Sequence, residues 1–113
     1  MKTNESFASA SSSRSDMLRD VRGFIERGWT QGATARDAEG FRCVPRDPRA
    51  ECWCLLGAAV AVAVAKGITD PLARSLGFET GVAMVIWNDT KGRTKAEVLA
   101  RIDQALERAG GGE

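Results

Sequence analysis

The chain has no histidine, and this narrows its chemistry before anything else. Histidine is the side chain best suited to proton transfer near neutral pH. Without it, none of Cys43, Cys52 and Cys54 has an imidazole to activate it as a nucleophile. A structural zinc site wants four ligands, mostly Cys and His. Three cysteines in a C-x8-C-x-C spacing fall short of that. The carboxylates Asp37, Asp47, Asp70, Asp89 and Asp103 are scattered, and no two of them announce an acid–base pair. No catalytic residue and no metal ligand is therefore assigned, and the chain reads as a non-enzyme.

Other absences point the same way. Gly28, Gly32 and Gly40 do not make a dinucleotide fingerprint, and no G-K-[ST] occurs, so no cofactor is expected. The formal net charge is +1, with no long run of either sign, which argues against nucleic acid or an anionic membrane as partner. No apolar run reaches the ~20 residues that span a bilayer. Residues 1–14 lack the apolar centre of a signal peptide and read as a disordered Ser-rich leader. The odd cysteine count does not suggest a disulfide-stapled secreted domain. The expectation is a reduced, cytoplasmic protein with one domain over residues 15–109 and a flexible Gly-rich tail over 110–113.

What the sequence does have is a long uncharged stretch, 52–65, which reads as the middle of one buried helix over about 48–66. Asp47 suits the N-cap, Pro48 the first helical position and Glu51 the first turn. Lys66 and Gly67 suit the C-terminal end. Val60, Val62 and Val64 alternate as a strand would, but the intervening alanines favour helix. A helix apolar all round needs cover all round. Trp53, Leu56, Val60 and Val64 make its expected bulky stripe, and the small residues between them admit a close neighbour. On such a helix Cys52 and Cys54 point to different faces.

The rest follows in order. Ser15 or Asp16 caps a first helix to about Arg27, with Leu18, Val21 and Ile25 on one face. Residues 34–44 form either a short hairpin turning at Glu39-Gly40 or a plain loop. Thr69 or Asp70, with Pro71, opens a short helix ending at Gly77. The apolar run 82–87 fits a helix or a strand, and its helical neighbours favour helix. T-x-x-E at 94–97 is a capping box that opens the last helix. Its stripe is Val98, Leu99, Ile102, Ala105, Leu106 and Ala109, with Lys95, Arg101, Gln104 and Arg108 towards solvent and Glu97 paired to Arg101. The predicted fold is mainly α: a small orthogonal bundle of four or five helices around the central one, with an optional hairpin.

The polar residues beside tryptophan are the candidate binding cluster: Trp29 and Gln31 in W-T-Q-G, Asp37, then Trp87, Asn88 and Asp89 in W-N-D, and Arg93. One reading makes them structural: Asn88 turns the chain, Asp89 pairs with Arg93 or caps backbone, and the rings fill core. The other gathers them over a tryptophan floor to grip a partner or small ligand.

W-x-Q-G at 29–32, A-x-D-x-x-G at 35–40, A-x-x-W-C-L-x-G-A at 50–58, W-N-D at 87–89 and R-T-x-x-E-V at 93–98 occur in this order. Together they resemble a family of small uncharacterised domains of bacteria and their phages, over roughly residues 18–109. The resemblance implies a bacterial or prophage origin and supplies no catalytic residue. The functional expectation is a protein-interaction module, such as a phage accessory protein binding a host protein. The alternative is a small-ligand binder using the Trp-lined cluster. A homodimer that covers the apolar helix stays open.

Overall fold

The computed structural model describes residues 13–69 and 72–112. Within them the chain folds as four helices and one two-stranded antiparallel ribbon. The expected leader lies almost wholly outside the described residues. Helix α1 spans Arg14–Arg27. Its cap is Ser13, whose hydroxyl accepts from the Asp16 N–H at 3.1 Å, so the helix starts earlier than Ser15 or Asp16 would put it. Ser15 is buried instead, and Leu18, Val21 and Ile25 are fully buried on the expected stripe. Gly28 ends the helix. A Cβ there would lie 2.3 Å from the Glu51 carbonyl oxygen, so only glycine lets the two backbones approach.

Strand β1 (Ala35–Asp37) pairs with β2 (Ala50–Trp53) in the register Ala35 to Trp53, Arg36 to Cys52 and Asp37 to Ala50, with an irregularity between the last two pairs. This corrects the hairpin expected over 34–44. Its first arm and its turn form, with Gly40 at φ +90° and the Asp37 carboxylate accepting from the Glu39 and Phe41 N–H groups. The return arm is reduced to one bridge, Arg36 to Arg42. Burial explains the choice. Ala50 and Trp53 are buried, whereas Phe41 and Val44 are 69% and 65% exposed and gain little by pairing.

Helix α2 spans Leu55–Ala65, not 48–66. Residues 50–53 give their backbone to the ribbon. Asp47 closes a turn, accepting from the Arg49 N–H on its carboxylate and from the Ala50 N–H on its carbonyl. Cys54 is the cap, its sulfur accepting from the Gly57 N–H at 3.2 Å. Cys52 therefore sits on a strand, not on a helix with Cys54. The other end is as expected: Gly67, at φ +72°, donates to the Val64 carbonyl and Ile68 to the Ala63 carbonyl, a Schellman motif.

The buried face of α2 is its small one, with Leu55, Ala58 and Ala59 at 0% exposure. The expected bulky stripe is not the core face. Leu56 and Val60 are half-buried, Val64 is 58% exposed and Trp53 belongs to β2. The helix is thus apolar all round without being covered all round. Small residues win because α1 and the ribbon both press against α2. At Gly57 a Cβ would lie 1.9 Å from the Thr34 carbonyl oxygen.

Of the expected opening of the next helix at Thr69 or Asp70 with Pro71, residues 70 and 71 lie outside the described residues, and Thr69 lies in a bend. Residues 72–77 form turns, not a helix, and bury Leu72, Ala73 and Leu76. Leu72 adopts φ +64°, a conformation that breaks a right-handed helix. Helix α3, Gly81–Asn88, takes up the 82–87 run, capped by Thr80. Helix α4, Lys95–Gly112, opens on the expected capping box: Thr94 Oγ1 accepts from the Glu97 N–H at 3.1 Å, and Glu97 Oε1 from the Thr94 N–H at 2.9 Å. It continues through the glycines expected to form a loose tail. Its stripe joins one core with Leu18, Ile25, Leu55, Leu76 and Met84.

Candidate functional site

The W-x-Q-G segment follows α1 and the W-N-D segment ends α3, and the fold sews the two together. Asn88 is the knot. Its side chain is completely buried. Its Oδ1 accepts from the Trp29 indole N–H at 2.8 Å and from the Leu55 backbone N–H at 3.0 Å. Its Nδ2 donates to the Thr30 carbonyl at 3.1 Å and to Asp89 Oδ1 at 2.9 Å. Two donors face the oxygen and two acceptors face the nitrogen, so the amide has one sensible orientation and every bond it can make is made. Leu55 is the first residue of α2, and its N–H has no partner within the helix. Asn88 therefore also caps the neighbouring helix.

Gln31 extends the seam. Its Nε2 donates to the carbonyls of Asn88 at 2.9 Å and Thr90 at 3.1 Å. Asp89 Oδ1 also accepts from the Gly32 N–H at 3.1 Å. The expected Asp89–Arg93 pair does not form. Arg93 donates from Nε to the Trp87 carbonyl at 2.9 Å, stacks over the Trp87 ring at 4.0 Å and approaches Glu97 at 3.7 Å. Asp37 is not drawn into this network, because its carboxylate is spent inside its own turn. The link to that turn is Arg36, which donates to Thr30 Oγ1, to the Gln31 carbonyl and to the Gly40 carbonyl.

Arg101 lies outside the motifs that mark the candidate cluster, yet it reaches the same tryptophan. Expected towards solvent in a pair with Glu97, it instead donates to the Leu76 and Gly77 carbonyls. It stacks 4.2 Å over Phe78 and lies 5.1 Å from the Trp87 ring centre. Glu97 turns to Arg93. Burial, then the nearby charges of Arg108 and Arg93, lower the Arg101 pKa from its ordinary value. The open loop carbonyls at 76–77 decide this, and no residue spacing within α4 announces them. Trp87 thus has a guanidinium from each of two segments, beside a hollow of about 250 Å³ that Glu97 and Gln104 help to line.

Two of the three thiols, those of Cys54 and Cys43, are shifted upward. Burial pushes the Cys54 thiol up, against the N–H groups of Gly57 and Leu56 that pull it down. Cys43 is raised as well, by burial and then by Asp47 and Asp37. A raised thiol is a poorer nucleophile at neutral pH. Among the described residues, no group of three or more Cys, Asp or Glu is placed to hold a metal ion. No described helix is long and apolar enough to cross a membrane.

No curated protein matches the chain, and no solved structure matches it. The chain does match a family model, and the motifs that build the seam lie within the match. Over residues 10–108 it fits the family of unknown function DUF6197, and it belongs to that family.

Proposed function

We propose that the protein is a non-enzymatic protein-interaction module, a bacterial or prophage accessory protein that works in the cytoplasm by binding a host protein. The observation that carries this is the contrast between the two sides of α3. On one side the polar groups of Asn88 are fully used inside the fold. On the other, Val82 and Ile86, one turn apart, are 69% and 66% exposed. Isolated exposed apolar residues are ordinary, but a pair one turn apart is the beginning of an anchor for a partner. The adjoining Trp87 and Arg93 are residue types frequent at the centre of interfaces.

The hollow beside Trp87 favours a second reading, a small-ligand site. The Gln31 and Asn88 amides that a ligand would need are already bonded within the chain, which weakens it.

Native mass spectrometry of protein isolated gently from its own host tests the first reading. A stoichiometric protein adduct, lost in the Val82→Asp, Ile86→Asp double variant, supports it. A bare monomer or a small-molecule adduct counts against it, and a dimer would assign the surface to a second copy.

A further inference from the structure

We propose that the cleft between α1, the 45–48 turn and the C-terminal end of α2 binds a small organic phosphate: an anionic head on an apolar or aromatic body. This site is separate from the α3 surface, and its test does not depend on that reading.

The cleft has a volume of about 360 Å³, in the range of small-molecule sites. Its rim carries Arg19, Arg27, Arg46 and Lys66 against one acid, Asp20. On a chain whose formal net charge is +1, this is a local concentration of positive charge. Asp16 engages Arg19 at 2.7 Å. Arg27 is held by ring stacking, 4.9 Å over Trp53, which fixes the guanidinium without neutralising it. Among the described residues, neither Arg27 nor Arg46 forms an ion pair. Two of the four cations, Arg27 and Lys66, stand at helix C-terminal ends, where the helix dipole favours them in any protein. Arg19 answers Asp16 one turn away, whereas Arg46 has no such reason to be there.

The floor gives the second observation. Phe24 and Val62 make it apolar, and Gly23 opens it. Gly23 sits inside α1, where glycine costs about 0.5–1 kcal/mol relative to alanine. A Cβ there would meet nothing within 4 Å, so no close packing demands the glycine. What its absent side chain does is leave the cleft open. Cations from three chain segments around an apolar floor match a doubly charged, three-oxygen head with a body attached. A bare anion would leave the floor unused, and a neutral ring would leave Arg27 and Arg46 unused.

The test is an NMR titration of the full chain with phenyl phosphate, with inorganic phosphate and phenol as the two halves. The expected result is saturable shifts at the Gly23, Arg27, Arg46 and Lys66 amides, and phenyl phosphate about tenfold tighter than either half. Arg46→Glu should weaken it by about tenfold or more, and Arg14→Glu, the same charge change on α1 away from the cleft, by less than about twofold. Gly23→Leu should abolish binding with its thermal melt intact. The proposal is overturned by no saturable shift up to about 10 mM, by equal losses from Arg46→Glu and Arg14→Glu, or by undiminished binding to Gly23→Leu. Binding to phosphatidylglycerol vesicles without binding to phenyl phosphate would also overturn it, assigning the cleft to a lipid headgroup.

Discussion

The indole N–H of Trp29 donates to Asn88 Oδ1 at 2.8 Å, and the same oxygen accepts the Leu55 N–H that opens α2. One buried amide therefore joins the exit of α1, the start of α2 and the end of α3. The strength of this joint is that no group in it is left unsatisfied.

Removing the amide should be among the most damaging single changes to the protein. Asn88→Leu keeps the volume roughly but strands the Leu55 N–H and the Thr30 carbonyl, each costing about 1–3 kcal/mol. A loss of about 3 kcal/mol in urea denaturation is expected, and a loss under about 1 kcal/mol would remove Asn88 from this role. Asn88→Asp should be worse at neutral pH. It sets a second carboxylate against Asp89 and the Thr30 carbonyl, and protonation in acid should relieve part of the loss.

Gly57 and Gly23 make an opposed pair. Gly57→Ala forces a methyl into the Thr34 carbonyl, which a Cβ would meet at 1.9 Å. It should cost about 3 kcal/mol, at the upper end of overpacking effects. Gly23→Ala meets no atom and should stabilise by about 0.5–1 kcal/mol. Denaturation midpoints that move in the same direction would contradict the placement of one of them.

The two faces of α2 can be told apart with two substitutions. Ala59 is fully buried, so Ala59→Leu should overpack and cost about 1–3 kcal/mol. Val64 is 58% exposed, so Val64→Thr should change stability by less than about 0.5 kcal/mol. A large loss at Val64 would mean that something covers it, a second copy being the first candidate.

Asp47 gives a pH signature. Hydrogen bonds from the Arg49 guanidinium, then from the Arg49 N–H, hold its carboxyl below the ordinary carboxylate value. A lowered folded-state pKa contributes stability above the unfolded value of about 3.9, lost as pH falls through the folded value. Melting temperatures of the wild type and Asp47→Asn should therefore differ near pH 7 and converge in acid below about pH 4. A constant difference across that range would mean that the turn does not depend on the charge.

Much of the helical skeleton was legible because its signals are local. Leu18, Val21 and Ile25 recur at helical spacing, Thr94 and Glu97 cap across one turn, and Gly67 takes the left-handed position at the end of α2. Each needs only its own neighbours to act. The start of α2 misled for the same reason. Asp47-Pro48 is a valid helix opening, and it is equally a valid turn. Pairing of β1 with residues 50–53 decides between them, and that pairing is not a local event.

The candidate cluster shows the same division. The tryptophans and polar residues at 29–31 and 87–93 were recognisable as unusual, and most do converge. Asp37 does not, because its own turn offers the nearer N–H groups. Arg101 joins through carbonyls and rings that lie about two dozen residues away in the chain.

By itself the sequence determined the class of the fold, the buried stripes of α1 and α4 and the helix ends at Gly28, Gly67 and Thr94, since periodicity and capping act within a turn or two of chain. Only the tertiary structure decided which face of α2 is buried, where that helix begins and what Asn88 holds. Those depend on burial and hydrogen bonding between segments that meet only when the chain is folded, such as Thr34 against Gly57 and Trp29 against Asn88.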